Sequence, residues 1–143
     1  MTLRFGFFWN AAREAALQAS QCQTFQSDTS AGPSSVTTAN KVAALASQAF
    51  TGITLVPPVN VYILQTNVTS KISQKGTANT ALPLPADITN NIYDVQVELN
   101  GQIEPLIRAA NNGMLGSIPG LTGPFPVVVR AQFNSEVPQG LNQ

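Results

Sequence analysis

The 143-residue sequence has no histidine, one cysteine and few charges, with Lys, Arg, Asp and Glu making up only 10% of the chain. Each shortage excludes something. Without histidine the chain lacks the side chain that most often moves protons near neutral pH and most often ligates metals, which argues against an enzyme. The single cysteine, Cys22, can form no disulfide within the chain and no thiolate cluster for zinc or iron–sulfur. It stands in an alanine-rich stretch, where it reads as a small buried hydrophobe, an intermolecular disulfide being the sharper alternative. Seven basic residues are scattered from Arg4 to Arg130 and seven acidic ones cancel them, so no basic stripe is available for phosphates and nucleic acid is not expected as a partner. No apolar run approaches the ~20 residues of a membrane-spanning helix, and Arg4 interrupts the start. No signal peptide is visible, so an exported protein would carry its targeting segment outside this sequence.

What is present is 43% apolar residues, with the remainder dominated by Ser, Thr, Asn, Gln, Gly and Pro. A chain of this length suits one domain, expected over residues 1–143 with a helical part at 1–50 and a strand-rich part at 53–143. With about 25% charge in an average soluble domain, this surface carries little self-repulsion, which favours self-association or a permanent partner.

The residues Phe5 to Phe25 contain no proline and only one glycine, Gly6, and Asn10-Ala-Ala-Arg-Glu-Ala-Ala-Leu-Gln-Ala-Ser20 is rich in strong helix formers. The spacing predicts a helix with Phe5, Phe8, Trp9, Ala12, Ala16 and Ala19 along one stripe and Arg13, Glu14, Gln18 and Gln21 facing away from it. A polar linker, Gln26 to Ser35, has turn and cap chemistry. Val36 to Phe50 continues as a second helix closed by Gly52, completing an expected helical hairpin.

Beyond Pro57-Pro58 the pattern turns to strands. Val59 to Val68 is rich in β-branched residues, and Ile92 to Leu99 alternates strictly, with Val95, Val97 and Leu99 on one face and Asp94, Gln96 and Glu98 on the other. Pro126 to Phe133 forms the last strand. Ser73 to Asn91 reads as a long irregular connection, Glu104 to Ala110 as a short helix, and the glycines and prolines from Gly113 to Pro126 as turns. Strands that follow two helices, with too little helix between them for crossovers, give an α+β class: an N-terminal helix or helical hairpin packed on a small antiparallel sheet.

No constellation carries recognisable chemistry, and neither a cofactor nor a metal is expected. Asp94, Glu98 and Glu104 are the only neighbouring carboxylates, and they read as solvated charges because a glycosidase pair needs a cleft and a raised pKa. Asp87, Asn90, Asn91 and Asp94 offer oxygen atoms, but their spacing does not match a calcium loop. Asn67-Val-Thr69 matches a glycosylation acceptor. Phe5, Phe7, Phe8 and Trp9 are harder to bury around one helix end, because Phe7 points away from its neighbours.

Asn10-Ala-Ala-Arg-Glu-Ala-Ala16 after an aromatic-rich turn resembles the segment that follows the transmembrane helix of TadE-like pseudopilins, minor pilins of tight-adherence (Flp-type) pili. Val95-Gln-Val-Glu-Leu99, Glu104-Pro-Leu-Ile107, a glycine-rich passage and Val127-Val-Val-Arg-Ala-Gln-Phe-Asn-Ser-Glu136 are similar to that family's strand, Pro-Leu turn and closing strand. The chain departs from the family in beginning at Met1-Thr-Leu-Arg-Phe5, without the prepilin leader and apolar helix. The resemblance implies a pilin-like fold and an extracytoplasmic subunit at the cell surface, in a pilus or in the periplasm of a bacterium. It would associate with other pilus or assembly subunits or with itself, and meet the membrane only through an anchor helix absent from this chain. Phe5, Phe8, Trp9, Ala12 and Ala16 are the expected helix-packing interface. The competing readings are a phage or capsid-type virion subunit, a small extracytoplasmic ligand-binding module using the sheet face and the Ser73–Asn91 loop, and, last, a hydrolase built on carboxylates alone.

Overall fold

The computed structural model describes residues 2–30, 32–47, 53–103 and 125–143, in the order α1 (Thr2–Ser20), α2 (Ser35–Ser47), β1 (Ile53–Asn67), β2 (Ser73–Lys75), β3 (Asn91–Ile103), β4 (Phe125–Asn134) and a short 3-10 turn at Pro138–Gly140. The four strands form one antiparallel sheet in the order β2-β1-β3-β4. The class is α+β. Both helices pack on the same side of the sheet, α1 over β4 and β3 and α2 over β1, and they pack on each other.

The core is a layer of alanines against a layer of valines. Ala11, Ala12, Ala15, Ala16 and Ala19 of α1 and Ala39 and Ala43 of α2 are buried against Val59, Val61, Ile63, Tyr93, Val95, Val97, Leu99, Val127, Val129 and Ala131. Alanine is the best helix former and the smallest apolar side chain, so the helix backbones can approach the sheet closely. The valines and Leu99 supply most of the area, each worth roughly 1.5–3 kcal/mol when fully buried. The alternation expected around Val95, Val97 and Leu99 is the one observed.

Several element boundaries differ from expectation. The first helix stops at Ser20, five residues before Phe25. There the Ser20 hydroxyl donates to the Leu17 carbonyl, the Ser20 carbonyl accepts the Glu136 N–H at 2.9 Å, and Phe25 turns into the core with no exposed surface. β1 begins at Ile53, not Val59, because the strand passes through Pro57-Pro58 as a bulge: between Val56 and Asn60 the register shifts relative to Asn100 and Glu98. Proline has no N–H to give a ladder, and a bulge takes it out of register. Ser73 to Lys75, expected to be irregular, pairs with Leu64 to Thr66 as an edge strand. The tight turn that returns it is built by Asn67, whose side-chain oxygen accepts the N–H groups of Thr69 and Ser70, and by Lys71 at φ 63°. Glu104 to Ala110, the glycine-rich passage and the Gly52 closure lie outside the described residues.

The start of α2 is fixed to the end of α1. Ser34 caps α2 by accepting the Thr37 N–H on its hydroxyl, while its own N–H donates to Asp28 at 2.8 Å. The buried Ser35 hydroxyl donates to the Ala19 carbonyl at 2.7 Å. The last residues then close the assembly: Phe25 N–H donates to the Gly140 carbonyl, Gln26 and Ser27 both donate to the main-chain oxygen of Gln143, and Leu82 donates to that of Leu141. Leu141 is buried beside Phe25, and the main chain of Gln23 crosses so close to Gly140 that a Cβ there would overlap the Gln23 carbonyl.

Substituting Gly140→Ala is therefore expected to cost ~3 kcal/mol or more, because the obstacle is backbone and cannot swing away. Urea denaturation checks this, and a loss under ~0.5 kcal/mol would show that the tail does not pack against Gln23.

Candidate association surface

Helix α1 divides into two faces. At about 100° per residue the buried alanines occupy one half of the circumference, and Trp9 falls about 90° from the centre of that stripe. It is 41% exposed, and Arg13 lies over its ring, 5.0 Å from the centroid. Leu17 continues the same line at 38% exposure, with Asn10, Glu14 and Gln18 beside it. The expected stripe thus separates. Ala12 and Ala16 are fully buried and hold α1 to the chain's own sheet, whereas Trp9 faces outward. The side chains of Phe5 and Phe8 lie outside the described residues. Arg13, Glu14, Gln18 and Gln21 are exposed, as their spacing predicts.

Two hollows flank this face. A groove of about 500 Å³ between α1 and α2 is lined by Glu14, Gln18, Thr38, Lys41, Val42 and Leu45, and Leu45 is 60% exposed. A notch of about 250 Å³ lies between Asn10, Arg13, Glu14, Leu17 and the β4 residue Phe133. Cys22 is half-buried and not the fully buried residue expected, with its sulfur 3.2 Å from the hydroxyl oxygen of Thr38, a groove residue. Sequence reasoning missed Leu17 and Leu45. The spacing of Trp9, Arg13 and Leu17 at four residues was the available signal for an outward stripe.

The other side of the sheet is mostly polar, with Val56, Ile92 and Val128 exposed among the polar residues. Glu98 accepts from Arg130 Nε at 2.7 Å and Asp94 accepts from the Gln132 amide at 3.1 Å, so two of the three carboxylates weighed for acid–base work are held by cross-strand partners. Lys75 covers the ring of Tyr62, 3.9 Å from its centroid. Glu104 lies outside the described residues. At the end of the sheet, Gln65, Asn67, Ser70, Ile72, Gln74 and Asn91 line a hollow of about 230 Å³, and the Asn67 side-chain oxygen is engaged in its own turn.

Of the four candidate calcium ligands, Asp87 and Asn90 come together: Asp87 accepts from the Asn90 side chain at 2.9 Å and from the Thr89 N–H at 3.2 Å. The Asn90 hydrogen bond holds its carboxyl below the usual carboxylate range. Asp94 is committed to Gln132 on the sheet. Among the described residues, no three of His, Cys, Asp and Glu converge on a point where a metal could sit, and no helix is long and apolar enough to cross a membrane.

No protein-family model matches the chain, and neither a curated protein nor a solved structure shows significant similarity to it.

Because the pKa of Asp87 is lower folded than unfolded, its hydrogen bonds stabilise the fold above the unfolded value of 3.8, and that contribution is lost as pH falls through the folded value. Asp87→Asn is expected to be less stable than the parent at about pH 7 and to converge with it as the pH falls through the folded value. Parallel urea titrations at neutral and strongly acid pH check this, and an equal gap at both would contradict the assignment.

Proposed function

We propose that this chain is a structural subunit that works by protein–protein association, resembling a TadE-like minor pilin in a pilus or surface-secretion apparatus outside the bacterial cytoplasm. The observation that carries the reading is the division of α1. One face is spent on the chain's own sheet, and Trp9 on its flank and Leu17 opposite it are exposed, on a helix whose first two turns hold Phe5, Phe7 and Phe8. In a domain with only 10% charge, a tryptophan and a leucine exposed four residues either side of Arg13 form an apolar strip that a partner surface can cover. The two-helix, antiparallel-sheet architecture and the sequence Asn10-Ala-Ala-Arg-Glu-Ala-Ala16 support the pilin-like version of this reading. In that version an anchor helix outside this sequence would make the link to the membrane, with α1 continuing it into the domain.

The test is fractionation of the source bacterium. Antibody raised against the 143-residue domain is expected to find the protein in the envelope and in filaments sheared from the cell surface. Recovery in phage particles would favour the virion reading, and confinement to the soluble cytoplasm would overturn both.

A further inference from the structure

The two edges of the sheet are finished differently. On the β2 side the main-chain groups that β1 turns outward from Val61 to Asn67 are answered. Asn67 N–H donates to Ile72, Gln65 pairs with Gln74, and Gly76 N–H donates to the Ile63 carbonyl at 2.9 Å. Val61 exchanges bonds with the Asn79 main-chain N–H and side-chain oxygen. Before Val61 comes the bulge at Pro57-Pro58, and β2 itself is only three residues long and carries Lys75. Short, bulged, proline-bearing and lysine-bearing edges resist pairing with another chain. β4, at the other edge, is ten residues long, and its one charge, Arg130, is held by Glu98. Ser135 N–H donates to Tyr93 and the register with β3 runs unbroken, so the odd-numbered residues of β4 turn their N–H and C=O groups to β3. Val128, Arg130, Gln132 and Asn134 turn theirs outward. Their side chains are all exposed, and among the described residues no main-chain partner meets their outward groups. Pro126 shares their parity, at an edge position where a missing N–H costs the ladder nothing.

We infer that the β4 edge is an interface between two copies of the chain, paired antiparallel so that their four-stranded sheets become one. The inference rests on the reading that the chain works by association, and it adds to the α1 strip a second surface with its partner named. A row of outward N–H and C=O groups is matched by another extended edge, and an antiparallel strand of this kind is its own complement. Donor positions decide the register. A two-fold axis at Ala131 sets Val128 opposite Asn134 and Arg130 opposite Gln132, so every outward N–H and C=O of these residues finds a partner in the other copy. An axis at Arg130 would face the two guanidinium groups and put Asn134 opposite Pro126, which has no N–H to give. One at Gln132 would put Val128 opposite Glu136, whose N–H is already given to Ser20. Ala131 is the smallest of the inward side chains Val127, Val129, Ala131 and Phe133, so the closely spaced pair on the axis is not crowded.

Sedimentation equilibrium of the full chain tests the pairing. One strand pair gives a small interface, so the parent is expected to dimerise with a Kd of roughly tens of micromolar. Val128→Pro removes an outward N–H and takes none from the β3 ladder, so it should weaken the dimer at least ~10-fold while far-UV circular dichroism stays unchanged. Cysteine pairing in a Cys22→Ala chain reads the register. Val128 of one copy and Asn134 of the other would stand as a hydrogen-bonded pair with Cα atoms about 5.5 Å apart, within disulfide range. Under mild oxidation a mixture of Val128→Cys and Asn134→Cys chains should give a cross-linked dimer, and neither variant alone should. A parent that stays monomeric at about 1 mM would overturn the inference and leave this edge to a strand of a different protein. A dimer in which the mixture does not link, or in which either variant alone links as fast, would overturn it too. A monomeric parent that is still found in sheared filaments would leave the pilus reading standing, whereas a dimer absent from filaments would sink the pilus reading alone.

Discussion

Close approach of an alanine stripe to a valine sheet is the contact on which the rest of this molecule depends. Five alanines of α1 are buried against β3, β4 and α2, and none is large enough to hold the helix away from the sheet. Larger side chains on that face would push the helix outward and cost about 1–3 kcal/mol each. Between Trp9 and Ser20 every buried apolar position of α1 is an alanine, and Trp9 and Leu17 fall outside that stripe. Trp9 and Leu17 are left on the surface as a consequence of how the core is built, and so the functional question falls on the outward face.

The helical layer is held at its open end by the last residues of the described chain. The segment between the helices gives N–H groups from Phe25, Gln26 and Ser27 to Gly140 and Gln143, and Glu136 donates to Ser20 at the end of α1. Ser34 and Ser35 are buried but satisfied, by Thr37 and Asp28 and by Ala19. Backbone polar groups at a helix end would otherwise need water, and the tail excludes water there with Leu141. The orientation of α1, and therefore the direction in which Trp9 points, is fixed from both ends of the sequence.

The strands were legible because alternation is read directly: Val95, Val97 and Leu99 turn inward, while Asp94, Gln96 and Glu98 find partners on the polar face. The end of α1 was not, since no glycine or proline stands near Ser20 and the stop is made by Glu136 and Gly140, more than a hundred residues away. The bulge at Pro57-Pro58 depends on the register of β3, and the edge strand β2 on a turn that only Asn67 and Lys71 define. The helix stripe was half legible. Spacings of three and four group Trp9 with Ala12 and Ala16 as well as with Arg13 and Leu17, and alanine is too weakly apolar to centre the stripe on its own. Ala12 and Ala16 proved to be core, and Trp9 belongs to the outward line.

The central claim is that the outward line of α1, and not the alanine stripe or the α1–α2 groove, is what other protein surfaces meet. Replacing Leu17 with a photo-crosslinking phenylalanine analogue in the full chain, illuminating it and mapping the products by mass spectrometry addresses this most directly. Cross-links from position 17 to a second protein chain are expected. Cross-links absent from position 17 but abundant from the same analogue at Leu45 would contradict the claim and move the interface to the groove.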